Sequence, residues 1–69
     1  MKLIIQNEDA RKEVRCKDWF EATGRRDICR ETLQIALRGA VNEIYEKENN
    51  AFIIEGEGVY VELIIEQEG

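Results

Sequence analysis

Residues 27–49 constrain the fold of this chain most, because apolar side chains recur there at the spacing of a helix and not of a strand. At about 100° per residue, Cys29, Leu33, Ala36, Leu37, Ala40, Val41 and Ile44 collect on one face. The spacing predicts one long helix with Asp27 as its N-cap and the Asn49–Asn50 pair at its end. A helix with a single apolar face must lie on another layer, and the small Ala36 and Ala40 at its centre let it lie close.

That other layer is read from period-two segments. Lys2–Gln6 is a short β-branched run, and Asn7 to Ala10 supplies polar turn chemistry. Across 12–22, Val14, Cys16, Phe20 and Ala22 alternate with Glu13, Arg15, Lys17 and Glu21, so a second strand is expected there. Its period breaks at Asp18 and Trp19, which suggests a bend. Residues 51–55 form a third strand, and Gly56 and Gly58 suit a tight turn. In Val59–Glu66, Val59, Val61, Leu63 and Ile65 face one side, while Tyr60, Glu62, Ile64 and Glu66 face the other. The expected fold is α+β, ββαββ: a four-stranded, mainly antiparallel sheet with one long helix packed on one face, in a single domain over 1–69. At 69 residues the core is small, since domains of roughly 60 residues bury only about 60% of their unfolded surface. Support from a second copy or a partner is therefore expected.

Two surfaces remain uncovered in this arrangement. The sheet face away from the helix carries Trp19, Tyr60 and Ile64, with Ile4 or Ile53 beside them, an aromatic and aliphatic patch of the kind that marks a protein contact. On the helix, Ile28, Thr32, Ile35 and Gly39 form a second stripe opposite the first. Glycine inside a helix costs about 1 kcal/mol against alanine. Ile28, Ile35 and Gly39 are thus candidates for close approach by another helix.

The net charge of −5 hides an asymmetry. From Met1 to Asn42 nine basic residues face seven acidic ones, and from Glu43 to Gly69 eight glutamates face only Lys47, so the two parts carry +2 and −7. Arg25 and Arg26 ahead of the expected helix, and Glu43, Glu46 and Glu48 in its last turns, run against the helix dipole. The candidate partner-binding residues are Glu55, Glu57, Glu62 and Glu66, with Trp19, Tyr60 and Ile64.

Catalytic chemistry is missing from the sequence. With neither histidine nor serine, no Ser/His/Asp triad can form and no ordinary neutral-pH base is present. Gly56 and Gly58 sit beside Glu55 and Glu57, which would repel a phosphate. Cys16 and Cys29 are too few for a zinc site without histidine and are expected as free thiols. No enzyme activity, cofactor or metal is expected. With no signal-peptide pattern and no apolar run near 20 residues, the expected location is cytoplasmic.

In size, acidity and lack of catalytic residues the chain resembles small phage-encoded inhibitors such as anti-CRISPR and other anti-defence proteins, a likeness of composition. It implies a non-catalytic inhibitor, a nucleic-acid mimic that occupies a basic surface of a nucleic-acid-binding protein. A structural or regulatory homodimerisation domain is the alternative. Direct nucleic-acid binding through Arg11, Lys12, Arg15, Lys17, Arg25, Arg26 and Arg30 is the third reading, opposed by the acidic C-terminal part. No membrane partner is expected.

Overall fold

A computed structural model describes residues 1–38, 41–56 and 58–67. The chain runs β1 (Lys2–Gln6), β2 (Arg11–Arg15), α1 (Trp19–Ala36), β3 (Val41–Glu46), a 3₁₀ turn (Lys47–Asn49), β4 (Ala51–Gly56) and β5 (Val59–Glu66). The strands form one antiparallel sheet in the order β2-β1-β5-β4-β3, and α1 packs on one face against β1 and β5. The α+β class with one helix on the sheet is as expected; the sheet has five strands instead of four, and the order is ββαβββ.

The differences trace to the two ends of the helix. Asp18 is the N-cap, in extended backbone, and its carboxylate accepts a hydrogen bond from the Glu21 amide at 2.9 Å. Asp18 and Glu21 thus stand at the two ends of a capping-box spacing, and the break in period at Asp18 and Trp19 marks a helix start, not a bend in a strand. The second strand therefore ends at Arg15, and Asp27 lies inside the helix. At the other end, Val41–Glu46 is a strand: it contains Val41, Ile44 and Tyr45, types that suit a strand, and pairing with β4 satisfies the backbone. Ile44 accordingly sits in the sheet, Ala36 is exposed, and Ala40 lies outside the described residues. The expected conflict with the helix dipole also goes. Arg25 and Arg26 are in mid-helix, Glu43, Glu46 and Glu48 are not in it, and Glu21 occupies the first turn, where a carboxylate is favoured.

Register divides the sheet into two faces. Leu3 opposes Val14 and Ile65, Ile5 opposes Leu63, and Phe52 opposes Leu63, so these side chains share the helix side. Leu3, Ile65 and Cys16 close around Ala22 of α1, with Met1, Ile5 and Val14 against them. Ile54 and Leu63 are fully buried as well. Over β4 and β3 the helix presents arginines in place of aliphatic residues. The Arg26 and Arg30 guanidinium carbons each lie 4.7 Å from the Phe52 ring centroid, and Phe52 stacks on Tyr45 at 4.8 Å. Arg30 also pairs with Glu43 at 3.3 Å, and the Gln34 amide donates to the same carboxylate at 2.7 Å. Arg26 is only 9% exposed; one of its terminal nitrogens donates to the Asn50 carbonyl at 3.4 Å. Left-handed Asn50 closes the 3₁₀ turn, and Gly58 (φ 74°) supplies the positive φ of the β4–β5 turn. Among the described residues no helix is long and apolar enough to cross a membrane.

Candidate functional site

The sheet face away from α1 is built row by row from the register. Across the strands from β2 toward β3 the rows are Arg15–Lys2–Glu66, then Glu13–Ile4–Ile64–Ala51–Glu46, then Arg11–Gln6–Glu62–Ile53–Ile44, and last Tyr60–Glu55–Asn42. The middle is aliphatic. Ile4 is buried between its neighbours, Ile53 and Ile64 are half-buried, and Ile44 is exposed.

Charge is sorted across this face. On β5, β4 and β3 it carries Glu46, Glu55, Glu62 and Glu66 and no cation; on β1 and β2 it carries Lys2, Arg11 and Arg15 with one carboxylate, Glu13. Glu13 is held by Lys2 at 2.9 Å, and that hydrogen bond and charge lower its pKa below the usual value of 4.5. Tyr60 reports the acidic half directly. Its phenol pKa is raised above 10.0, first by desolvation, then by the charge of Glu62 and a hydrogen bond to it, and further by Glu55 and Glu46.

The acidic half continues round the edge of the sheet into a cleft of about 420 Å³ between the β1–β2 and β4–β5 turns, where Glu8, Asp9, Glu55 and Tyr60 meet. The β1–β2 turn is set by Asn7, whose side-chain oxygen accepts from the Asp9 and Ala10 amides at 2.8 Å each. The carboxylates of Glu8, Asp9 and Glu55 make this cleft electronegative. Among the described residues no three cysteine, aspartate or glutamate side chains are grouped to hold a metal ion.

The face thus unites Glu55, Glu62, Glu66, Tyr60 and Ile64 from the sequence reading, together with Ile4 and Ile53. Trp19 does not join them: it is the first residue of α1, so the helix start moves it away from the open face. Glu57 and Gly39 lie outside the described residues. Ile28 and Ile35 are exposed on the outer side of α1 at 66% and 78%, and the earlier helix start adds Phe20 at 86% and Gly24. Sequence reasoning missed Ile44 and Glu46 as members of the face because both were placed in a helix. No local pattern separates them from a helix; pairing of Val41–Glu46 with β4 is what places them on this face. The basic residues do not form one patch: Lys2, Arg11 and Arg15 lie on the sheet, whereas Arg26 and Arg30 are stacked on Phe52 beneath the helix. Compared with known proteins, the chain matches no family, no curated protein and no solved structure.

Proposed function

We propose that the protein is a non-catalytic binding module, a small inhibitor of the phage anti-defence type, which lays the acidic half of its open sheet face on a basic surface of a nucleic-acid-binding protein. The observation that carries this reading is the sorting of charge. Glu46, Glu55, Glu62 and Glu66 surround Tyr60, Ile53 and Ile64 on three adjacent strands with no cation among them. Aliphatic and aromatic side chains supply the desolvated centre of a contact, and the carboxylates supply steering and orientation. The Glu8–Asp9–Glu55 cleft gives one basic side chain of the partner a place to insert. The neighbouring Lys2, Arg11 and Arg15 repel that basic surface, so the partner is accepted in one orientation.

The test is capture of a partner from the source cell, repeated with Glu55, Glu62 and Glu66 changed to lysine. The captured protein is expected to bind nucleic acid, to release it when this chain is added, and to be lost with the charge-reversed variant whose circular dichroism is unchanged. Capture that survives the reversal refutes the reading.

A second reading, homodimerisation, is favoured by the outer side of α1. Phe20, Ile28 and Ile35 are exposed there, and an added Cβ on Gly24 would meet nothing within 4 Å, so the fold itself has no use for that glycine. A dimer joined at the helices leaves both sheet faces outward and is compatible with the first reading. A monomer by light scattering at high concentration refutes it.

A further inference from the structure

Helix and sheet do not close along their whole length. Leu3, Cys16, Ala22 and Ile65 seal one end, while at the other a groove of about 470 Å³ lies open between α1 and the β1–β2 hairpin. Its apolar lining includes Ile5, Val61 and Leu63 from the sheet and Ile28, Cys29 and Leu33 from the helix. The charges around it are of one sign. The chain carries 15 acidic residues, yet among the described residues none lines this groove, and its two charged side chains are Arg11 and Lys12. Lys12 opposes Ile5 in register, so it stands on the groove side of the sheet, and among the described residues it has no carboxylate partner. Arg11 stands on the other side and is 4.0 Å from Glu13. Three other cavities among the described residues include acidic side chains: Glu8, Asp9 and Glu55 in one, Glu31 and Glu43 in another, Glu48 and Glu66 in a third.

We infer that this groove binds a small amphipathic anion, an aliphatic carboxylate whose chain lies against Ile5, Leu33 and Val61 and whose head group meets Lys12. An apolar cleft with one convergent charge is the general form of a small-ligand site, and a few hundred cubic ångströms suits one such molecule. A protein partner needs roughly 1,000 Å² of contact, far more than the groove offers. The turn at its mouth is pre-set by the two Asn7 side-chain hydrogen bonds, so little ordering is lost on binding.

Cys29 is the reporter, being a half-buried free thiol in the groove wall, while Cys16 is buried in the sealed end and serves as the internal reference. Alkylation of both thiols by iodoacetamide is followed by mass spectrometry with decanoate or decylamine below their micelle concentrations, or decanol below its solubility limit. Decanoate is expected to slow Cys29 alkylation saturably. Decylamine should bind about fivefold more weakly, the scale of one exposed ion pair. Lys12→Glu, a surface change that leaves the core intact, should reverse that preference, and Leu33→Trp should fill the groove and remove protection. Equal protection by all three amphiphiles, or no protection by decanoate, overturns the inference. Protection by an extended acidic peptide but not by decanoate overturns it too, and assigns the groove to a protein segment.

Discussion

Replacing Arg26 tests how a helix can be anchored by a cation where an aliphatic residue would be usual. Alanine removes two buried methylenes, worth about 0.8 kcal/mol each, and the stacking on Phe52, worth about 1 kcal/mol. The long 3.4 Å bond to the Asn50 carbonyl adds half of an ordinary hydrogen bond, about 0.5 kcal/mol. Against this stands a cost carried by the native side chain. The Arg26 Nε is buried without a hydrogen-bond partner, since Asp27 at 3.7 Å is too distant to accept one, and such a group costs about 1 kcal/mol. The net loss for Arg26→Ala is then about 2 kcal/mol.

Methionine retains the apolar stem and discards both the stacking and the unsatisfied nitrogen, so Arg26→Met is expected within about 0.5 kcal/mol of the native protein. A chain of 69 residues has roughly 3 to 10 kcal/mol in total, so the two variants separate clearly in urea unfolding. With a slope near 1 kcal/mol per molar, the alanine midpoint falls about 1.5 M below the methionine one at unchanged slope. Equal losses for the two variants refute the reasoning, because the guanidinium and not the stem would then hold the helix.

Asp18→Ala should cost about 1 kcal/mol in thermal or urea unfolding, and Asp27→Ala much less; the reverse order would place the cap where the structure does not. The Tyr60 phenol should titrate above 10 by carbon-detected tyrosine NMR. Because folding favours its neutral form, this group's contribution is intact below pH 10 and is lost as pH rises above it. A titration at or below 10 refutes the acidic setting, and Glu62→Gln should lower the value. Glu13 has the opposite sign, with a folded pKa below 4.5. Its stabilisation is present above that value and is lost as pH falls through the folded pKa, and Lys2→Met should bring the carboxyl back up by NMR titration. Should the outer stripe of α1 mediate self-association, Ile28→Asp with Ile35→Asp gives a monomer by light scattering with unchanged circular dichroism; an undiminished mass refutes that contact.

The parts of this fold written in local pattern were legible. β1 and β5 announce themselves by β-branched runs, and the alternation in Val59–Glu66 put Leu63 and Ile65 on the helix side and Tyr60 and Ile64 on the other. The helix boundaries were not legible from periodicity because the sheet-facing side of α1 is not a clean apolar stripe. Ala22 and Arg26 are its buried residues, and an arginine in the core breaks the pattern that a helix search follows. The Asp18–Glu21 spacing was available as a start signal and outranks periodicity here. Val41 to Glu46 carries apolar residues at spacings that suit either period. Only pairing with β4, a long-range fact, decides for the strand. Of the candidate face, Glu55, Tyr60, Glu62, Ile64 and Glu66 followed from reading β5 and the end of β4 correctly, whereas Trp19 was lost to the helix start.

Strand order turns a difference along the chain into a difference across a surface. The sequence is basic early and acidic late, and a sheet ordered by sequence alone would grade from one to the other over successive strands. Here β5 returns to lie between β1 and β4, so the most acidic strand of the open face abuts the basic hairpin directly, with Lys2 opposite Glu66 and Gln6 opposite Glu62. The boundary between the two halves is therefore sharp and one strand spacing wide, about 4.8 Å, well inside the screening length of about 8 Å at physiological salt. Opposite charges this close partly cancel at a distance and act mainly on contact. The face should then gain more in orientation than in encounter rate, and raising salt should slow association with a basic partner less than four unopposed carboxylates would predict.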